Sequence, residues 1–158
     1  MLGIDPGTNV TGFGVVEGLN GHPGRLIECG VIRTNPKQKI WYRLDTLFDG
    51  VTELIERHRP SAVALEGVFY AKNVKTTVAL GRASAVILLA AARAGLDVAE
   101  YSPATVKKSV VGSGRAAKTQ VAYMVQRLLN LKTPPRPADA ADGVAIALTY
   151  IVNRGGAR

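Results

Sequence analysis

Near residue 40 the hydrophobic period of this chain changes from two to between three and four, and that change limits the folds open to it. Before it, Met1 to Ile4, Gly12 to Val16 and Arg25 to Arg33 read as strands. The links Asp5-Pro6-Gly7-Thr8-Asn9 and Gly18 to Gly24 carry turn chemistry. Three consecutive strands with tight links make an antiparallel meander. After the change, Leu44, Leu47, Phe48, Val51, Leu54 and Ile55 recur at helical spacing and stop near His58-Arg59-Pro60.

Ser61 to Glu66 holds a continuous apolar run and reads as a buried strand. A helix follows from about Asn73, a good N-cap, to Gly95, a good stop. Asp97 to Tyr101 is a further strand. Ser102-Pro103 opens a short helix that Gly112-Ser113-Gly114 breaks. Lys118 to Leu129 is amphipathic, Thr133 to Pro137 is a stiff linker, and Ala138 to Val152 is the final helix. The order predicts an α/β fold in one domain over residues 1–158. It is a mixed five-stranded sheet, an antiparallel meander plus two crossover strands, with helices on both faces.

Composition narrows the class. Hydrophobic residues make up 47% and charged residues 20%, as in a soluble globular domain. The apolar stretch Ala83 to Ala92, bracketed by Arg82 and Arg93, is too short to span a bilayer, so no membrane role is expected. The first residues lack the basic region and cleavage site of a signal peptide. Cys29, the single cysteine, excludes an internal disulfide and reads as a packed thiol, so a cytoplasmic location is expected. The net charge of +8 points to a polyanionic partner. Lys72, Lys75, Lys107, Lys108, Arg115, Lys118, Lys132 and Arg136 fall in or beside expected loops and helix starts, whereas solubilising charge would favour mid-helix faces.

Four acids stand where acids are out of place. Asp5 ends the first strand and Glu66 the fourth, each directly after an apolar run. Each has a plain alternative, Asp5 as a turn residue and Glu66 as a solvated strand end. Asp139 and Asp142 lie three apart, on one face of a final helix that is otherwise almost wholly apolar and therefore buried. Capping and the helix dipole account for one of these two more readily than for both. Four clustered carboxylates repel one another unless cations neutralise them, and hard oxygen ligands suit Mg²⁺ or Mn²⁺. His22 and His58, both expected in loops, make no zinc set with one cysteine. Two such cations roughly 4 Å apart can activate water and stabilise the leaving oxygen in phosphodiester hydrolysis.

Several segments resemble the bacterial RuvC family of Holliday-junction resolvases, nearly end to end. They are Gly3-Ile4-Asp5-Pro6-Gly7, Glu66-x-x-Phe69 with Asn73, Val106-Lys107 ahead of Val110-Val111-Gly112, Lys118-x-Gln120-Val121, and Ala138-Asp139-Ala140-Ala141-Asp142. The resemblance implies an RNase H-like fold and a Mg²⁺-dependent endonuclease. It also implies a homodimer that nicks two strands of a four-way DNA junction symmetrically, and RuvA and RuvB as partners in a bacterial cytoplasm. On it, Asp5, Glu66, Asp139 and Asp142 match the catalytic, metal-holding acids. Lys107 and Lys118 match functional lysines, and Phe69 an aromatic that stacks on a base at the opened crossover. Gly67 departs from the Gln of many members, only four residues precede Asp5, leaving room for a start upstream, and only Asn153 to Arg158 follow Val152.

The remaining expected DNA contacts are Tyr70, Lys72, Asn73, Lys75, Arg82, Lys108 and Arg115. Phe69-Tyr70 reads either as a stacking platform or as rings tucked into the core. Lys118 heads a helix, where a nearby phosphate would offset the unfavourable dipole, and reads otherwise as a solvated lysine. Arg82 is placed mid-helix, opposite the Val78, Ala85 and Leu89 side. The small residues Ala79, Gly81, Ala83 and Ala85 permit close helix approach, at a dimer contact or on the chain's own sheet. Two other functions fit parts of the chain. Gly-Ile-Asp-Pro-Gly-Thr also resembles the first phosphate loop of actin-like ATPases, which need two such domains, and a junction-binding module would need no catalysis.

Overall fold

The computed structural model of the chain describes residues 1–19, 22–67 and 74–155. The meander forms as expected. Strand β1 (Leu2–Asp5) pairs antiparallel with β2 (Val10–Leu19), and β2 with β3 (His22–Arg33). Both long strands outrun their expected limits, because two register shifts, at Val15/Val16 and Glu17/Gly18, let pairing continue into the segment expected as a turn. Helix α1 (Ile40–His58) starts a turn before Leu44. Strands β4 (Ala62–Glu66) and β5 (Asp97–Tyr101) add parallel to β1, reached through α1 and through α2 (Val74–Arg93). The sheet order is β3-β2-β1-β4-β5.

The two-residue period divides the core. Leu2, Ile4, Phe13, Val15 and Val63 face α1 and α2, meeting Leu47, Val51, Leu54, Ala83 and Ile87. Val16, Ala62 and Ala64 face the other way, onto α3 (Pro103–Val111), α4 (Lys118–Leu128) and α5 (Ala138–Gly155). Ser102 caps α3 by accepting from the Thr105 backbone N–H at 3.0 Å, and Gly112 closes it at φ 87°. Gln120 Oε1 accepts from the Ala117 N–H at 2.8 Å and closes the first turn of α4.

Helix α5 is buried from Ala140 to Ile151 apart from Asp142, which is partly buried. It lies almost directly on the sheet because glycines face it. A Cβ on Gly3 would strike the backbone of Gly143 and Ala147, and one on Gly14 would come within 2.6 Å of Val144 Cα. On the helix side, a Cβ on Gly143 would come within 2.5 Å of Phe13 Cα.

Three expectations need correction. Arg82 is exposed on the same side of α2 as Val78, Ala85 and Leu89, since spacings of four, three and seven residues bring it onto their face. His22 opens β3 and His58 closes α1, where its Nε2 lies 2.7 Å from Glu28 Oε2; neither lies in a loop. Lys107 and Lys108 lie well inside α3 rather than at its start. Helix α2, with 20 residues, is also long and apolar enough to cross a membrane by length and composition alone, but Ala83, Ser84, Ile87, Ala90 and Ala91 are buried in the domain.

Candidate active site

The fold carries Asp5 and Glu66 to neighbouring strand ends. Residues 3 and 5 of β1 and residues 62, 64 and 66 of β4 share the face toward α5, and Ile4 pairs with Leu65 just before both acids. Asp139 falls inside the first turn of α5, and Asp142 follows one turn on. Gly12, the cross-strand partner of Asp5, lies under Asp139, where a Cβ would collide with the Asp139 backbone. Oxygens of Asp5, Asp139 and Asp142 all lie within 4.8 Å of one another, a group that includes neither histidines nor Cys29. Glu66 stands beside this trio, and lines with Asp5, Asp139 and Lys118 a cleft of about 360 Å³.

The loop after Asp5 is held on both sides. Thr11 Oγ1 donates to the Gly7 carbonyl at 2.7 Å and accepts from its N–H at 3.2 Å. Arg43 on α1 donates to the Thr8 carbonyl, to Asn9 Oδ1 and to Thr34 Oγ1. Beyond Glu66, the Gly67 N–H donates to the Tyr101 carbonyl at 3.0 Å. Both strand ends therefore present their carboxylates from fixed backbone.

Charge is unbalanced in the cleft. The Asp5 carboxyl is pushed up to about 7, first by burial and then by the Glu66 and Asp142 carboxylates. Burial, then Asp142, likewise raises Glu66, with Lys118 and Lys107 opposing. Lys118 Nζ donates to Asp142 Oδ2 at 2.9 Å, and that bond raises its pKa, so it stays protonated at neutral pH. A trio of hard oxygen donors with one lysine against them fits a divalent cation in chemistry and in charge.

Lys107 on α3 is near enough to Glu66 to stabilise its charge. Lys75, Lys108 and Arg115 are exposed, on α2, on α3 and in the loop before α4. Arg82, exposed on α2, is not part of the cleft lining. Phe69, Tyr70, Lys72 and Asn73, the last with its N-cap, lie outside the described residues.

Several residues that shape the cleft are not conspicuous in the sequence. Ser84 and Leu80 bring α2 to the cleft wall, and the Ser84 hydroxyl is buried without a hydrogen-bond partner among the described residues. The same holds for Arg43 and Gly12. The signal for Gly12 was present in the alternation of Gly12 and Gly14 on one face of β2.

The sequence profile of a known family, "Crossover junction endodeoxyribonuclease RuvC", matches residues 1–150. The chain belongs to the RuvC family. The RuvC of Salinispora arenicola is 49% identical over 158 residues, covering 100% of this chain and 90% of that protein. The RuvC of Halorhodospira halophila is 49% identical over 154 residues, covering 98% of this chain and 90% of its own. Among solved structures, T. thermophilus RuvC in complex with a Holliday junction substrate superposes with a TM-score of 0.92 at 38% identity, covering 99% of this chain and 94% of that one. The RuvC match settles the choice of fold as RNase H-like and the activity class as a crossover junction endodeoxyribonuclease, against the actin-like ATPase and the non-catalytic binding module.

Proposed function

We propose that this chain resolves four-way DNA junctions by paired symmetric nicks, hydrolysing one phosphodiester bond in each of two strands. The observation that carries the reading is the trio of carboxylates within 4.8 Å, beside a lysine, in a RuvC-family fold. T. thermophilus RuvC was solved with a Holliday junction substrate, which supports the same ligand here.

Asp5, Asp139 and Asp142, with Glu66 beside them, are the groups that would hold Mg²⁺ or Mn²⁺, two per site. When bound, such cations activate water and stabilise the leaving oxygen. Lys118 holds Asp142 in place and, staying protonated, offers a charge-assisted donor to a phosphate oxygen rather than a base. Lys107 keeps Glu66 closer to its ionised form. Phe69 and Tyr70 stack on bases at the opened crossover. Lys72, Asn73, Lys75, Lys108 and Arg115 line the path of the backbone, whereas Arg82 stands with Val78 and Leu89 on the outer face of α2, away from the cleft.

Symmetric nicking needs two sites, and a homodimer supplies them. Exposed Val74, Val78 and Leu89 form an apolar stripe along α2, and a Cβ on Gly81 between them would meet nothing within 4 Å. A second copy against this stripe pairs two clefts. RuvA and RuvB are the partners, and the bacterial cytoplasm the setting, that family membership supports. Mapping cut positions on a synthetic junction with each strand labelled in turn tests the reading. Two cuts at matching positions on opposing strands are expected; scattered single cuts contradict it.

A further inference from the structure

The chain's one tryptophan is left open to solvent. Trp41 and Tyr42, at the start of α1, are each 56% exposed, although rings of this size carry much of a domain's burial energy. Their ring centroids are 5.9 Å apart, and Lys39 Nζ sits 5.1 Å from the centre of the Trp41 ring. Lys37 is exposed two residues earlier. From Arg33 to Leu44 the chain carries Arg33, Lys37, Lys39 and Arg43 and no acid; exposed Asp45 begins the next turn.

This patch lies at the same end of the sheet as the carboxylates. Val10 pairs with Arg33 where β2 starts and β3 ends, the end at which β1 delivers Asp5. Arg43, next to Tyr42, bonds to Thr8 and Asn9 in the loop that follows Asp5. An aromatic pair with cations beside it, joined by one arginine to the loop of the catalytic acid, has the chemistry of a backbone-tracking contact.

We infer that Trp41 and Tyr42, with Lys37 and Lys39, form a contact for a DNA arm of the junction outside the cleft. The rings pack on its sugar or base faces, and the lysines reach its phosphates. The inference rests on the junction-binding reading above.

The single tryptophan makes the test direct. A labelled four-way junction is titrated with the full chain without divalent cation. Label anisotropy reports binding, and acrylamide quenching of fluorescence excited beyond the tyrosine absorption band reports Trp41 alone. Binding is expected to cut the Trp41 quenching constant by about half as the open ring face is covered. In Lys37→Ala/Lys39→Ala, the slope of log affinity against log salt is expected to fall by about 1 to 2, at ~0.9 per phosphate contact. Anisotropy that shows binding with Trp41 quenching and salt slope unchanged overturns this contact and leaves the junction reading intact. No anisotropy change overturns both. Protection of Trp41 that follows protein concentration without DNA assigns the face to a second copy and also overturns the contact.

Discussion

The backbone of Asp139 rests on Gly12, the cross-strand partner of Asp5. Two acids more than 130 residues apart in sequence thus meet because one strand position lacks a side chain. Gly12→Ala is expected to lift the start of α5, to destabilise by about 1–3 kcal/mol as an overpacked core does, and to reduce nicking beyond what the lost stability explains. Thermal melts and nicking rates below the melting range check this. Full activity in Gly12→Ala would show that the close approach is not needed.

Asp139→Asn keeps the shape of the site and removes one charge from the trio. Nicking is expected to vanish, while junction binding holds or tightens, because one repulsive charge near phosphate is gone. Gel shift and nicking on the same preparation check both halves. Normal nicking in Mg²⁺ removes Asp139 from the site.

Much of this was legible from residue order. The meander, the crossover strands and the four acids follow from period and from acids placed after apolar runs. The grouping of Asp5 with Asp139 was inferred from charge and resemblance rather than from packing, although Gly3, Gly12, Gly14 and Gly143 encode the packing. Arg43 was not legible, since its partners, the Thr8 carbonyl, Asn9 and Thr34, come together only when β3 and α1 fold beside the first loop. The side of α2 that carries Arg82 was not legible, because apolar Val74, Val78 and Leu89 stand on its exposed face.

Lys118→Ala removes the donor to Asp142. The expected loss in nicking rate is about 10²-fold, at the low end for a preorganised donor to developing charge. Lys118 opposes the raised pKa of Asp5 and of Glu66, so the acid side of the pH–rate profile should move to higher pH in the variant. An unmoved midpoint would mean that the Lys118 charge does not reach the titrating carboxylates.

Asp5 gives the cation-free protein a pH dependence. Its folded pKa, about 7, lies above its ordinary value of 3.8, so the folded state binds the extra proton between them. Stability is therefore expected to fall as pH rises through that window in a chelating buffer. Mg²⁺ should raise the melting temperature more at about pH 8 than at about pH 5, since cation binding competes with the Asp5 proton. Equal Mg²⁺ shifts at both pH values would mean that Asp5 does not sense the cation.

The most direct measurement is a nicking assay on a synthetic four-way junction beside a linear duplex of the same sequence, with Mg²⁺ and with chelator. The carboxylate site predicts paired nicks on the junction in Mg²⁺, none in chelator, and little cutting of the duplex. Nicking that persists in chelator, or equal cutting of duplex and junction, would contradict it.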